Sequence, residues 1–315
     1  MTNILCSIII VNWNGREALR TCLKSLERFE DLSATEVIVS DNDSSDGSIE
    51  MLAKDFPHVK IIENGANIGF AAGNNRALAL AKGKYVLILN PDMEFIEPGL
   101  GKLTAYMEEN PGVGACGCMV LNADLSFMRQ CRRGYPDPVT AFFYVSGLLN
   151  VFPSNPRIGK YFYSHLPPDR EIDVDALSGS FIVARRSILE KLKGFSEDYF
   201  MFVEDVDLCR RIRETGHSLR YLPAMKIVHH GGACIEGRKN RKLFYHYQMT
   251  RSHMILYSKD MRREGRAPAY IAAFILIALR YSALSILLGN TKLFSHLAEF
   301  LAIYRGDIKP LGAVE

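Results

Sequence analysis

The chain has 315 residues, of which 48% are hydrophobic and 23% charged, as expected of a globular protein with one large domain or two smaller ones. Its formal net charge of +3 gives no basis for general nucleic-acid binding. The seven cysteines are scattered, and Cys116-Gly117-Cys118 has no matching second pair. The sequence therefore predicts reduced thiols in a cytosolic protein rather than a zinc site.

Short apolar runs alternate with helical patterns through the first 122 residues. In the predicted helix 16–28, Leu19, Cys22, Leu23 and Leu26 fall on one face. Strands of continuous apolar residues separated by helices predict an α/β fold, in which helices cover both faces of a mostly parallel sheet. The predicted strands are 6–13, 36–40, 59–63, 85–90 and 113–121, and the predicted helices are 16–28, 45–54, 72–82 and 99–109.

Residues 122–172 change character, because prolines and aromatic residues accumulate there without a clear period. The segment is too aromatic for a disordered linker, and we interpret it as a long functional excursion. Regular structure is predicted again over 175–185, in a helix at 187–193, in a helix that begins at Glu204, and in a strand that ends at His229-His230. The last seventy or so residues are predicted to be helical.

Three polar clusters follow predicted strands of the first half, beginning at Asn12, Asp41 and Asn90. Ligands of such sheets bind beyond the carboxyl ends of the strands, so the clusters are expected to lie side by side. Most residues of the second cluster, 41–48, are typical of a turn and a helix N-cap. Asp41 is the exception, because its carboxylate is placed to accept hydrogen bonds from a base or a ribose.

Two further segments carry both a structural and a functional interpretation. Residues 67–75 open a helix in which Gly69 and Gly73 permit close approach of a ligand to the backbone. A plain turn with a helix cap explains the same residues. Asn90-Pro91-Asp92 is a turn former, but Asp92 is also placed to bind Mg²⁺ or Mn²⁺ that bridges two phosphates.

A second carboxylate pair, Glu204-Asp205, opens a predicted helix more than a hundred residues later. Acidic first turns favour the helix dipole, which is the structural explanation. The aromatic approach over 198–203 favours a functional one, because a partly desolvated carboxylate has a raised pKa and works better as a base. A metal-binding carboxylate at a strand end and a second carboxylate acting as base suggest displacement of a nucleoside diphosphate from a sugar.

Histidines and arginines complete the candidate site. His229-His230 precedes Gly231-Gly232. In a chain that is expected to bind a metal, this pattern favours a histidine as a metal ligand. Arg132-Arg133 is explained either by a solvated charge pair or by a clamp on phosphates.

Together these segments resemble, in order and spacing, the inverting glycosyltransferases of the GT-A-fold family 2, and among them the bacterial rhamnosyltransferase-like subgroup. The resemblance covers residues 5–260. It rests on residues 7–14, the Asp41 cluster, the Asn-x-Gly-Phe-Ala-x-Gly-Asn-Asn pattern at 67–75, residues 178–181 and residues 204–209. Many relatives have Asp-x-Asp where this chain has Asn90-Pro91-Asp92, and the subgroup commonly has the Asn-Pro-Asp form.

The resemblance implies a GT-A glycosyltransferase with a base at Asp205, beside Glu204, and a divalent cation, Mg²⁺ or Mn²⁺, on Asp92 and His229 with Asn90 as a weaker ligand. It implies a donor, dTDP-L-rhamnose or a UDP-sugar, and a lipid-linked saccharide acceptor in the synthesis of a cell-surface polysaccharide. The residues expected to bind the nucleotide sugar are Asn12, Trp13, Asp41, Asn67, Gly69, Asn74, Asp92, Arg132, Ser178 and Gly179. The predicted glycosyltransferase domain is 1–255, with a nucleotide-sugar half at 1–122 and an acceptor half at 123–255, and 256–315 is a helical extension.

The apolar stretch 267–289 is long enough to span a bilayer, but Arg280 interrupts it and the apolar pattern continues through 293–304. These features favour helices that lie in the membrane interface, and no signal peptide is apparent, so we expect a cytoplasmic protein on the inner face of the cell membrane. Core helices packed on the main domain or on a second subunit are the alternative. The basic residues expected to attract anionic headgroups are Arg238, Lys239, Arg241, Lys242, Lys259, Arg262, Arg263 and Arg266.

Two other classes of protein share parts of this pattern. A nucleotidyltransferase needs a basic, glycine-rich triphosphate loop, and residues 12–16 match one poorly. A non-catalytic nucleotide-sugar-binding protein would keep Asp41 and the 67–75 loop but has no need of Asp205. Retention of every expected catalytic position favours an enzyme.

Overall fold

A nine-stranded mixed sheet flanked by helices forms the centre of the computed structural model, which describes residues 4–232, 241–264 and 267–311. The strands are β1 (Cys6–Asn12), β2 (Thr35–Asp41), β3 (Lys60–Glu63), β4 (Tyr85–Leu89), β5 (Met93–Phe95), β6 (Val113–Asn122), β7 (Arg132–Arg133), β8 (Ile172–Asp173), β9 (Ala176–Leu177), β10 (Phe181–Arg185) and β11 (Ser218–His229). The sheet order is β3-β2-β1-β4-β10-β6-β11-β5, with β8 on β11, and β7 pairs with β9 apart from it. The α/β class predicted from the sequence is confirmed.

Eleven α-helices lie within the described residues. They are α1 (Arg16–Phe29), α2 (Ser48–Asp55), α3 (Gly69–Leu78), α4 (Leu100–Glu109), α5 (Pro138–Val145), α6 (Leu148–Val151), α7 (Arg186–Lys191), α8 (Glu204–Glu214), α9 (Arg241–Glu264), α10 (Ala267–Leu287) and α11 (Leu293–Arg305). The excursion at 122–172 holds β7, α5, α6, β8 and two short 3₁₀ turns.

The parallel half of the sheet, β3-β2-β1-β4, brings the first polar clusters together. Every residue of β1 is buried, as its continuous apolar sequence predicts for a strand covered on both faces. In the parallel register Asn12 lies opposite Asp41, and Asp41 lies opposite Glu63. The two predicted nucleoside-binding side chains are therefore neighbours, although 29 positions separate them in the chain.

Antiparallel strands in the other half position the remaining site segments. β10 runs antiparallel to both β4 and β6. Residues 178–180, which precede it, therefore reach the end of β4, where the Asn90 amide donates to the Ser180 carbonyl over 3.0 Å. β11 runs antiparallel to β5 with His229 opposite Met93, so its last residue arrives beside Asp92.

The C-terminal helices pack on the main domain and on one another. The buried Arg251 of α9 donates to the Glu299 carboxylate of α11 over 2.7 Å and to the Asp198 carbonyl over 3.1 Å. The domain boundary predicted after residue 255 falls within α9. Among the described residues one helix, the Pro268–Leu287 part of α10, is long and apolar enough to cross a membrane, and most of it is not buried.

Some sequence predictions concern residues with specific partners or residues beyond the described ranges. Lys259 pairs with Asp198 over 2.8 Å, and Arg263 pairs with Glu214 over 2.6 Å, so both cations contact the protein itself. The six cysteines within the described ranges are buried and form no disulfide. Cys234, Arg238, Lys239 and Arg266 lie outside the described residues.

Candidate active site

A cavity of about 560 Å³ opens beyond the carboxyl ends of β1 and β4. One wall comes from the sheet ends and the loops that follow them. The opposite wall comes from α5, α9 and α10. Ten of the predicted site residues line this cavity: Trp13, Asn67, Gly69, Asn90, Asp92, Ser178, Gly179, Glu204, Asp205 and His229. The sheet topology thus brings together segments that span more than two hundred positions of sequence.

Asn12 and Asp41 lie behind the cavity wall and hold it in shape. The Asp41 carboxylate accepts from the Ser44 amide and the Ser44 hydroxyl, each over 2.7 Å, and from Asn12 Nδ2 over 2.8 Å. These contacts fix the loop that follows β2, next to the cavity residue Asn42. Asn12 Oδ1 is buried and has no hydrogen-bond partner among the described residues, so it remains available as an acceptor.

The 67–75 segment combines both interpretations that its sequence allows. Gly69 has φ +87°, and a Cβ there would lie 2.4 Å from the Phe200 carbonyl oxygen, so the close approach of α3 to the loop before α8 requires glycine. Asn67 Oδ1 accepts from the Gly69 amide over 3.3 Å. Asn74 is buried and donates to the Phe70 carbonyl over 2.9 Å. Asn67 and Gly69 therefore face the cavity, whereas Asn74 braces the helix.

Asp92 and His229 form the candidate metal centre. Asp92 Oδ1 lies 3.0 Å from His229 Nε2, and the Asp92 carboxylate is buried at the cavity wall. Asn90 lines the cavity beside them. Residues 4–232, 241–264 and 267–311 contain no group of three or more His, Cys, Asp or Glu side chains that could hold a metal. One carboxylate and one imidazole fit a cation that takes its other ligands from water and from a bound diphosphate.

The neighbouring pair of His230 and Glu94 is distinct from this centre. His230 Nε2 lies 2.7 Å from Glu94 Oε2, and both side chains are exposed. Glu94 is therefore engaged by the second histidine of the His229-His230 pair. Alternation along a strand end separates the two histidines, so each meets a different carboxylate.

Glu204 and Asp205 stand at the first turn of α8, after two residues in a strained conformation. Phe202 and Val203 have φ of +69° and +66°, which residues other than glycine rarely adopt. Asp205 Oδ2 accepts from the Gly179 amide over 2.8 Å and from Arg133 Nη2 over 2.5 Å. Its Oδ1 accepts from the Val206 amide over 2.8 Å. These three donors fix the orientation of the Asp205 side chain at the cavity wall.

The two adjacent carboxyl groups have different environments. Burial, and then the charge of Asp205, raise the pKa of Glu204 well above its ordinary value of 4.5. Glu204 Oε2 is buried without a hydrogen-bond partner among the described residues. Burial alone would lower the pKa of the Arg133 guanidinium, but the charge of Asp205 raises this pKa. The pair thus offers one buried carboxyl group whose protonated form is favoured, Glu204, and one ion-paired carboxylate, Asp205.

Arg132 and Arg133 point to different sides of β7. The Arg132 guanidinium is buried outside the cavity and donates to the carbonyls of Leu166 and Pro167 over 2.7 and 3.0 Å. It also lies over the ring of Tyr221 at 5.0 Å. Arg132 therefore anchors the excursion, and Arg133 is the arginine that reaches the cavity and Asp205.

Sequence reasoning did not identify the aromatic and cationic residues of the helical wall. Their common signal is the aromatic enrichment of the excursion and of the last helices, which does not indicate a direction for any side chain. The helical wall includes Tyr144, Tyr161, Phe244, Tyr245, His246, Met249, His253, Tyr257, Ile277, Arg280 and Tyr281.

Comparison with known proteins adds a family, relatives and a fold. Residues 7–193 match the model of the family described as Glycosyl transferase family 2. The N-acetylglucosaminyl-diphospho-decaprenol L-rhamnosyltransferase of Mycobacterium tuberculosis is 29% identical over 242 residues, 73% of this chain and 77% of the relative. Rhamnosyltransferase WbbL of Escherichia coli is 29% identical over 231 residues, 71% of this chain and 82% of the relative.

Two solved structures have a similar fold. One is the mannosyltransferase PcManGT of Pyrobaculum calidifontis in complex with GDP-Man and Mn²⁺, with a TM-score of 0.56, 16% identity, and 96% of this chain and 88% of that chain covered. The other is GalNAc-T7 with UDP, GalNAc and Mn²⁺, with a TM-score of 0.56, 14% identity, and 80% of this chain and 47% of that chain covered. At these identities the similarity supports the GT-A-like fold.

Proposed function

We propose that this chain, which belongs to glycosyl transferase family 2 and is a glycosyltransferase, moves L-rhamnose from dTDP-L-rhamnose to a saccharide on a lipid diphosphate carrier. One observation carries the proposal: the Asp92–His229 pair and the Asp205 carboxylate open into the same cavity. Displacement of a nucleoside diphosphate needs side chains that bind a metal and a carboxylate that acts as base, and this cavity contains candidates for both. The rhamnosyl donor is supported by relatives that are named rhamnosyltransferases.

The proposed reaction is a single displacement at the anomeric carbon. Asp205 accepts the proton of the acceptor hydroxyl as the hydroxyl oxygen attacks, and the bond from the anomeric carbon to the diphosphate oxygen breaks. Asp92 and His229 would hold a divalent cation, Mg²⁺ or Mn²⁺, which neutralises charge on the leaving diphosphate when bound. One attack without a covalent intermediate inverts the configuration of that carbon.

The Arg133 contact favours Asp205 over Glu204 as the base. Arg133 and the Gly179 amide stabilise the ionised form of Asp205, whereas burial favours the protonated form of Glu204. A base accepts the proton in its ionised form, and the two donors that contact Asp205 are hydrogen-bond partners for that form. After the transfer, the protonated Asp205 still accepts hydrogen bonds from the same two donors.

The nucleoside end of the cavity is proposed to lie at the sheet edge. Trp13, Asn42 and Asn67 line it, and Asp41 fixes the loop behind them. Asn12, buried behind the same wall, supports this end through its hydrogen bond to Asp41.

The lipid-linked acceptor is supported by the helical wall and by a relative. The relative from Mycobacterium tuberculosis is named for an acceptor in which N-acetylglucosamine is joined through a diphosphate to decaprenol. In this chain, the wall opposite the sheet is rich in aromatic and apolar side chains. On the outside of the same wall, Ile275 and Leu279 of α10 are 54% and 64% exposed. We propose that this helix lies in the membrane interface on the cytoplasmic side, where a lipid-linked substrate is accessible.

Transfer assays with purified full-length protein test the donor and the acceptor. dTDP-L-rhamnose, with a prenyl-diphosphate-linked N-acetylglucosamine and Mn²⁺, is expected to give a product one deoxyhexose heavier by mass spectrometry. In parallel, dTDP with Mn²⁺ is expected to raise the melting temperature more than UDP, GDP or ADP does. A preference for UDP would overturn the rhamnosyl donor while keeping the reaction class. No response to any nucleotide would overturn the donor site.

Vesicle flotation tests the membrane proposal separately. The wild-type chain is expected to float with vesicles that contain phosphatidylglycerol. Replacement of Ile275 and Leu279 together by glutamate is expected to abolish flotation, because two charges on an exposed apolar face oppose insertion into the interface. Equal flotation of this variant would contradict the proposal for α10. Its melting temperature serves as the control for folding.

A further inference from the structure

The helical wall of the cavity carries a single arginine in a helix that is otherwise apolar. Arg280 is the one charged residue in the sequence of α10. Its side chain lines the cavity and is also exposed, so it stands at the cavity mouth. The guanidinium lies over the ring of Tyr144 at 5.3 Å, and no carboxylate within the described ranges forms an ion pair with it. A cation in such a place is available to an anionic ligand.

A continuous series of contacts joins Arg280 to Asp205 along the cavity wall. Asp205 pairs with Arg133 over 2.5 Å, and the Arg133 charge acts on the phenol of Tyr161. The ring of Tyr161 is 6.1 Å from the ring of Tyr144, which in turn carries the Arg280 guanidinium. All five side chains line the cavity. The side chains of Tyr144 and Tyr161 therefore line the cavity between Arg280 and the candidate base.

Beyond Arg280, the exposed surface of α10 is apolar. Five of its exposed residues follow one another at spacings of three and four, so these five form one face of the helix. Leu279 and Ile286 on this face are 64% and 70% exposed. The members of the face are Ala272, Ile275, Leu279, Ala283 and Ile286. The mouth of the cavity thus lies between the lined interior and an apolar outer surface of α10, with the guanidinium at the boundary.

We propose that Arg280 binds the diphosphate of an amphiphilic acceptor, as a second phosphate subsite opposite the Asp92–His229 pair. The saccharide of this acceptor extends inward over Tyr144 and Tyr161 to Asp205, and its prenyl chain extends outward over the apolar face of α10. A guanidinium suits this ligand because its fork of donors can bind phosphate oxygens in a bidentate manner. The inference rests on the proposed function, since it takes the acceptor to be lipid-linked.

Binding of farnesyl diphosphate tests the subsite without relying on turnover. Saturating dTDP and Mn²⁺ first fill the donor end, and farnesyl diphosphate is then titrated by calorimetry. Arg280→Gln is expected to weaken its Kd by about 10- to 100-fold, the loss of one charge-assisted pair, and Arg280→Lys by less. Farnesol, which lacks the phosphates, is expected to bind both variants and the wild-type chain alike. The matched control is Arg305→Gln, at an exposed arginine of α11 outside the cavity.

Several outcomes would overturn the subsite. They are the absence of binding to the wild-type chain, equal binding by Arg280→Gln, and an equal loss in Arg305→Gln. A variant that loses only its binding to phosphatidylglycerol vesicles would instead assign Arg280 to bilayer headgroups. Failure of the proposed function looks different: farnesyl diphosphate would bind through Arg280 while no sugar is transferred. Conversely, transfer by Arg280→Gln with an unchanged KM for the acceptor would overturn the subsite alone.

Discussion

The assignment of roles to two adjacent carboxyl groups can be tested with a pair of isosteric amides. Asp205→Asn removes the candidate base, whereas Glu204→Gln replaces a buried carboxyl group whose pKa is raised. Both substitutions keep the size of the side chain. The two positions differ in their partners: Asp205 accepts from Arg133 and from Gly179, and Glu204 Oε2 has no partner among the described residues.

The two substitutions are expected to lower the rate of transfer by very different factors. A positioned general base contributes about 10²- to 10⁴-fold, so Asp205→Asn should raise the barrier to transfer by about 3–5 kcal/mol. Because burial and the Asp205 charge raise the pKa of Glu204, a glutamine resembles the protonated form that these two effects favour. Glu204→Gln should therefore change the rate by no more than about threefold, the scale of one altered hydrogen bond.

Initial rates of rhamnosyl transfer at pH 7 and saturating donor measure the difference. Asp205→Asn also leaves Arg133 without its counter-ion, which is expected to lower the stability by about 1–3 kcal/mol. Melting temperatures and dTDP affinities of both variants therefore accompany the rates. A loss in Glu204→Gln as large as that in Asp205→Asn, with both chains folded and binding dTDP, would refute the division of roles. Full activity of Asp205→Asn would refute the base itself.

Three other measurements address the pH response, the metal and the excursion. The raised pKa of Glu204 gives the folded chain one more bound proton than the unfolded chain between pH 4.5 and that pKa, so the free energy of unfolding falls as the pH rises through this interval. Glu204→Gln should show a shallower fall in denaturant titrations, and identical slopes would contradict this. His229→Gln should abolish the enhancement of dTDP affinity by Mn²⁺ and reduce transfer at least about tenfold, and an unchanged metal response would remove His229 from the centre. Arg132→Met should lower the stability by about 2–5 kcal/mol, because several buried carbonyls lose their donor, without changing dTDP affinity; Arg157→Met, at an exposed arginine, is the control.

The first half of the fold was largely predictable, because its strands are continuous apolar runs and its first helix has an apolar stripe. The predicted strand 85–90 and helix 16–28 differ by one residue from β4 and α1. The helix predicted from residue 45 begins at Ser48 instead. The Ser45 amide instead donates to Asn14 Oδ1 over 2.8 Å, in the loop that follows β1. A turn residue that serves a distant loop cannot be told from a helix start by its sequence.

The direction of β10 and the choice between two arginines were not predictable. The sequence of an apolar run such as 181–185 is compatible with both parallel and antiparallel pairing. The direction of β10 is set by its neighbours in the sheet, β4 and β6. Arg132 and Arg133 alternate across β7, so one faces the protein and the other faces the cavity. The pairing of Arg132 with Leu177 determines which of the two arginines faces the cavity. Adjacent identical residues carry no signal that separates anchoring from function.

The division of the chain along its sequence corresponds to a division of the cavity. The family match ends at residue 193, before Glu204, Asp205, His229 and the C-terminal helices. The proposed nucleoside end is lined by residues within the match, such as Trp13, Asn42 and Asn67. The candidate base, the candidate metal ligand His229 and most of the helical wall come after the match. If the donor lies at the sheet edge and the acceptor against α9 and α10, donor choice is set by the matched segment and acceptor choice by the segment that follows. Asp205 lies between these two parts of the cavity. As the candidate base, it would contact the acceptor hydroxyl whichever acceptor the helices bind.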